Sequence, residues 1–301
     1  MPDLGQPSYL RGILLTMSAV FIFALQDGIT RILMRDYEPG QFLLIRQTVF
    51  LLFTLCLIKF RGRSVRLALR AKRPVLQSFR SLTWVLDIIA FAFAVRYLEL
   101  ADAHAIVMIF PILASLLAIP LLGESIGWRR GIAIIGGFAG TLIILRPGLG
   151  IFDVGAVWAL AAALLLALYS VLTSLASRTD HFETSLLYMA IISFLISVAW
   201  GVTVWKTPDT QGWILMLTLS ITGLTGHVLL IKSLECAPAV VLQPFNYTQL
   251  AWGIIIGYLM FGDMPDGWTL VGGAIVVGSG LYMLAREHLS KKRGSKQRRA
   301  T

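Results

Sequence analysis

The sequence predicts an all-α membrane protein: ten transmembrane helices, laid out as two inverted five-helix repeats around a central cavity. Composition is the first ground. Hydrophobic residues make up 57% of the 301 and charged ones only 14%, with a mean hydropathy of +0.78. A soluble domain could not hide that much apolar surface in one core. The second ground is length, because apolar runs of ~18–25 residues, each able to cross a bilayer, recur from end to end. The third is an echo. Ala101–Ser125, ADAHAIVMIFPILASLLAIPLLGES, carries His104 and Pro111 and stops at Gly123-Glu124. Ala237–Met264 repeats the plan and stops at Gly262-Asp263. Leu98-Glu99 leads into the first copy and Leu234-Glu235 into the second.

Taken in order, the spans fall at roughly 10–33, 41–59, 76–97, 102–122, 128–146, 154–177, 185–205, 211–233, 238–261 and 267–286. The first has only Arg11 as a positive region and no small-residue cleavage site, so it reads as a helix and not as a signal peptide. Pro, Gly and charges separate the spans, as turn chemistry requires. Orientation comes from Lys and Arg. With the N-terminus inside, 19 of the 26 fall on inner segments, chiefly the cluster from Lys59 to Arg73 and the tail from Arg286 to Arg299. Five fall on outer segments: Arg31, Arg35, Arg96, Arg146 and Lys206. Both termini are therefore expected in the cytoplasm.

The repeat has a geometry. Gly12 falls on Gly155 and Arg35 on Arg178 in one register, and further on Trp128 falls on Trp268 and Gly140 on Gly280. The chain divides into a first repeat over 1–150, a second over 151–286 and a basic, disordered cytoplasmic tail over 287–301. An odd number of spans per half turns the second half the other way up in the membrane. Exchanging the conformations of two such halves would convert an outward cavity into an inward one.

The proline-containing fourth span closed by Gly123-Glu124, its Gly262-Asp263 copy, and Arg146-Pro147-Gly148 after the fifth span resemble the drug/metabolite transporter superfamily, in its EamA-domain branch. The match covers all but the basic tail. The second copy departs in reading Asp263 for glutamate and in placing its proline, Pro244, further from the acid. Within the superfamily the chain resembles YddG-type bacterial exporters of aromatic and other neutral amino acids. Tyr247-Thr248-Gln249 also resembles subgroups that carry riboflavin or S-adenosylmethionine. The resemblance implies a basket whose third, fourth, eighth and ninth spans line the cavity, in a bacterial inner membrane. It implies export, with uptake of riboflavin or S-adenosylmethionine as the alternative.

Polar residues inside spans point to the site independently. An ionisable side chain in hydrocarbon costs ~2.5–3.5 kcal/mol on insertion scales, so each should face protein or water. The set is Gln26, Asp27, Arg46, Arg80, Asp87, His104, His227, Gln243, Asn246 and Gln249. All four full charges belong to the first half, and their repeat mates are Ser170, Met189, Met216 and Gly223. The chemistry is thus asymmetric on a symmetric scaffold.

The third span shows a stripe. Arg80, Trp84, Asp87 and Phe91 share one helix face, while Ile88 and Ile89 lie on others. Arg80 and Asp87 are ~10 Å apart along the axis, too far to pair directly. They would suit the two charges of an amino acid, with Trp84 between; alternatively each pairs with a neighbouring helix. The ninth span groups Gln243, Asn246, Tyr247 and Gln249 around the Pro244 kink. These amides either bond a zwitterionic head group or tie helices together. Tyr169, the mate of Gln26, is a further lining candidate. His104 is either a wetted rim residue or a ligand or proton site, and His227 lies deeper. Asp27 and Arg46 sit at equal depth on antiparallel neighbours, ~14 Å below the intervening loop. They are expected to pair directly or through water; otherwise Asp27 faces the cavity and carries a proton.

The remote alternative of a different class is an intramembrane enzyme, whose usual motifs the sequence lacks. There is no H-E-x-x-H and no G-x-S-x-G elbow, so no catalytic residue, metal or cofactor is expected. Cys56 and Cys236 have no metal-like spacing and read as apolar fillers. The Gly136-Gly137 and Gly272-Gly273 pairs sit inside spans and read as close helix contacts. The net charge of +10 lies in one loop and one tail without aromatic interleaving, which suits anionic lipid and not nucleic acid. The expected partners are the bilayer and a small-molecule substrate; no oligomeric state is read from the chain.

Overall fold

The computed structural model describes residues 9–123, 128–146, 154–237, 242 and 245–298. Among these the regular elements are all helices: α1 (Tyr9–Asp36), α2 (Pro39–Phe60), the short α3 (Val65–Ala68), α4 (Pro74–Tyr97), α5 (Leu100–Val107) and α6 (Phe110–Leu122). They continue with α7 (Trp128–Leu145), α8 (Val154–Ala176), α9 (Phe182–Gly201), α10 (Thr210–Cys236), α11 (Thr248–Phe261) and α12 (Gly267–Arg298). Seven spans are long and apolar enough to cross a membrane, and Gly131–Leu145, Thr248–Phe261 and Gly267–Tyr282 form shorter apolar helices.

Local chemistry explains the boundaries. Pro39 and Pro74 open α2 and α4, where a missing N–H costs nothing. Asp209 caps α10 by accepting the Gly212 N–H at 2.7 Å. That bond, with the Tyr37 hydroxyl, holds its carboxyl below the usual carboxylate range. Gly123 and Gly262 end α6 and α11 in the left-handed region, at φ 71° and 74°, which explains glycine at both ends of the echo.

Two expectations are revised. The predicted fourth span is not one helix: it breaks at Met108-Ile109 into α5 and α6. Pro111 has no N–H for the Val107 carbonyl, so the ladder is interrupted there. The tail is helical up to Arg298 as a continuation of α12. Its Lys, Arg, Gln, Glu and Ala residues are good helix formers with no proline among them.

The most extensive helix contacts are α4 with α8, α1 with α10, α7 with α12 and α2 with α9, each joining an early helix to a late one. Small residues make these contacts: Ala19, Ala24, Ala90, Ala94, Ala159 and Ala163 are buried, while Leu52, Ile135, Leu164, Leu195 and Leu259 are exposed. That distribution is the reverse of a soluble core and suits helices packed in lipid. The backbones of α7 and α12 meet closely at Gly140 and Gly272.

Polar cross-links collect at the two ends of the bundle. At one end Arg31 pairs with Asp263, Arg96 with Glu38, and Arg146 with Asp266, and the Thr269 hydroxyl donates to Asp102. At the other, Arg61 and Arg63 both reach Glu183, and Asp180 accepts from the Lys72 backbone and the Gln77 amide.

Candidate functional site

A cavity of about 280 Å³ lies among α1, α2, α4, α5, α8, α10 and the start of α11. Its aromatic wall is Phe23, Phe42, Trp84, Phe91 and Phe110; its polar lining is Gln26, Asp27, Thr30, Arg46, Asp87, His104, His227, Asn246 and Gln249. Nine polar side chains thus converge where lipid-facing helices offer none, a concentration expected of a ligand site.

The carboxylate of Asp27 lies 3.4 Å from His104 Nε2 and receives the Gln249 amide at 3.5 Å. Among the described residues there is no Asp27–Arg46 ion pair within 4.0 Å. The direct form of the expected pair is not made, because α1 turns Asp27 towards His104 of α5. Arg46 instead faces the cavity, where it attracts both Asp27 and Asp87. His104 is not a wetted rim residue: it is 1% exposed, with its ring against Phe91 at 5.3 Å. His227 sits in an aromatic cage of Phe23, Phe50 and Trp84.

Arg80 is the main correction. It is 2% exposed and does not line the cavity. Its guanidinium donates to Gln77 Oε1 at 3.1 Å, to the Ser185 carbonyl at 2.5 Å, and to Tyr169 and Thr173 at 3.4 Å. It therefore ties α4 to α8 and α9. Tyr169 stands one layer behind the wall, its ring 4.8 Å from that of Trp84. Tyr247 is buried in the apolar core and is not a lining residue. Ile88 does line the cavity, since a cavity that wraps around α4 exposes more than one narrow stripe. Gln243 lies outside the described residues.

On α1 the expected Gln26 and Asp27 are joined by Phe23 and Thr30, which recur with them at helical spacing and face the cavity, a face legible in the sequence. Gln249 belongs to the lining as well. Opposite this face, α10 carries Gly223, where a Cβ would stand 2.7 Å from Gln26 Oε1 and 3.3 Å from Arg46 Nε. The missing side chain makes the notch that seats both.

No group of three or more His, Cys, Asp or Glu suited to a metal occurs among the described residues. Residues 10–146 and 153–285 each match the model of the EamA-like transporter family. The chain belongs to that family. It is a multi-pass membrane transporter, and the helix pairs around the cavity are EamA helices. An S-adenosylmethionine uptake transporter of Rickettsia prowazekii is 22% identical over 94% of this chain and 95% of its own length. A riboflavin transporter of Vibrio cholerae is 25% identical over 94% and 96%. A pseudopaline exporter of Pseudomonas aeruginosa is 22% identical over 88% and 93%. These relatives do not single out YddG-type amino-acid exporters within the EamA family. One crystal structure superposes with a TM-score of 0.59 at 18% identity, covering 90% of this chain and 96% of that one; it shares the fold.

Proposed function

We propose that this EamA protein is a secondary transporter working by alternating access, and that its substrate is an amino-acid zwitterion with a bulky apolar or aromatic body. One observation carries the reading. Arg46 and Asp87 face the same aromatic-walled cavity, and neither has an ion pair or side-chain hydrogen bond among the described residues. Two opposite charges with no direct ion pair or side-chain hydrogen bond among the described residues call for a ligand that contacts both. Arg46 takes the carboxylate, which its planar fork suits. Asp87 takes the ammonium, and Trp84, Phe23 and Phe91 hold the body. Gln26 and Asn246 complete the polar rim.

The repeats are proposed as inverted, over 1–150 and 151–286, with both termini in the cytoplasm of a bacterial inner membrane. Helix packing supports this: exchanging the halves turns the α4–α8 contact into α10–α1 and returns α2–α9 and α7–α12 to themselves. Export of aromatic and other neutral amino acids is one form of the reading. Uptake of an S-adenosylmethionine-like substrate is the other, supported by the S-adenosylmethionine transporter among the relatives, as the pseudopaline exporter supports export. Both forms present an α-amino acid to Arg46 and Asp87; riboflavin has no ammonium for Asp87.

Protein in liposomes should therefore show saturable movement of tryptophan or S-adenosylmethionine, unchanged chemically, and not of riboflavin. Movement of riboflavin alone would remove the zwitterion reading. The notch gives a second test. Gly223→Ala should push Gln26 and Arg46 from their seats and weaken binding about tenfold, the cost of displacing one charge-assisted contact. Unchanged affinity in a correctly folded variant would mean that the notch does not position them.

A further inference from the structure

Three side chains that carry charge when ionised share the cavity: Asp27 from α1, Asp87 from α4 and Arg46 from α2. With His104 and His227 neutral their charges sum to one excess negative charge. Burying such an excess is costly in a membrane, and the structure holds one device that can relieve it. Asp27 Oδ2 and His104 Nε2 are 3.4 Å apart, and Nε2 has no hydrogen bond among the described residues. Asp87 has no such partner among them and is left to the ligand.

We propose, building on the cavity reading above, that the Asp27–His104 pair is a proton site whose proton is exchanged for positive charge on the solute. In the empty cavity one proton taken from water resides on the pair and brings the total charge to zero. A solute with net charge +1 places its extra positive centre beside Asp27, and the proton returns to water. A neutral zwitterion leaves the total unchanged, so the proton stays. Protons moved per solute thus follow solute charge and are not a fixed property of the carrier.

The groups facing Asp27 set this balance. His104 comes from α5, Arg46 from α2, Asp87 from α4 and His227 from α10, while Gln249 from α11 contributes an uncharged donor. Arg31, one turn along α1, is already paired with Asp263. Gly253 of α11 lies directly against the His104 ring, fixing the imidazole towards α1.

Calorimetric titration of the purified protein in two buffers of different ionisation enthalpy counts the protons. S-adenosylmethionine, which carries net charge +1, should release about one proton per molecule bound, and tryptophan none. Because protons are counted per bound molecule, weakened affinity does not mimic the effect. Asp27→Asn should release none. His104→Asn should shift the pH midpoint of release by about one unit or more, as loss of a proton-sharing partner requires. The parent protein alone can overturn the proposal: S-adenosylmethionine binding without release, or failing to bind while tryptophan binds, removes it and leaves the cavity reading intact. Release that persists in Asp27→Asn also removes it, and an unshifted midpoint in His104→Asn removes the pairing. If neither solute binds, the cavity reading falls and takes this proposal with it.

Discussion

Arg46→Gln is expected to lower solute affinity by roughly a hundredfold while leaving the fold intact. The guanidinium lines the cavity and has no hydrogen bond to the protein among the described residues, so its removal breaks none, although Asp27 and Asp87 lose a nearby positive charge. A bound carboxylate would lose its partner in a water-poor site, where truncating one member of a charge pair costs about 2–5 kcal/mol. Binding to purified protein measures this, with thermal unfolding in detergent as the control. Parent-like affinity together with a lower unfolding midpoint would make Arg46 a structural residue that neutralises Asp87 in the fold.

Arg80→Gln should have the opposite signature. Arg80 is buried and donates to side chains of α4 and α8 and to a backbone carbonyl of α9. Breaking a buried charge network costs about 3–5 kcal/mol, here spread over three helices, and should lower the unfolding midpoint by on the order of 10 °C. The order of solute preference should stay as in the parent. A stable variant with altered preference would return Arg80 to the cavity wall.

These two arginines show how much of the molecule was legible in the sequence. Arg46 and Arg80 are both single charges inside apolar spans, so hydropathy marks them as functional or paired without saying which. The choice depends on what faces each one across the bundle. Tyr169, Thr173 and Ser185 come from α8 and α9, more than eighty residues away in the chain, and no local pattern announces that meeting. The repeat was legible because its marks are backbone marks: Gly123 and Gly262 occupy the same left-handed position, which few other residues tolerate. The break in the fourth span was half legible, since Pro111 was noted in it but not that the helix would stop there. The α1 face was half read: Gln26 and Asp27 were marked by their polarity, while Phe23 and Thr30 carry no such mark.

The one-sided placement of charge bears on kinetics. Asp27, Arg46, Asp87 and His104 all precede residue 150, while the second half offers a notch at Gly223 and the amides of Asn246 and Gln249. If the halves exchange shapes as proposed, a solute meets the same charges in different surroundings on the two sides, so its half-saturation concentrations there should differ. A carrier without an energy source cannot turn that difference into accumulation. At equal concentrations on both sides net flux must vanish, so the ratio of half-saturation constants is offset by the ratio of maximal rates. The asymmetry then decides which side works well at low concentration, and gradients decide the direction of flow. Exporters and importers can accordingly share one set of residues.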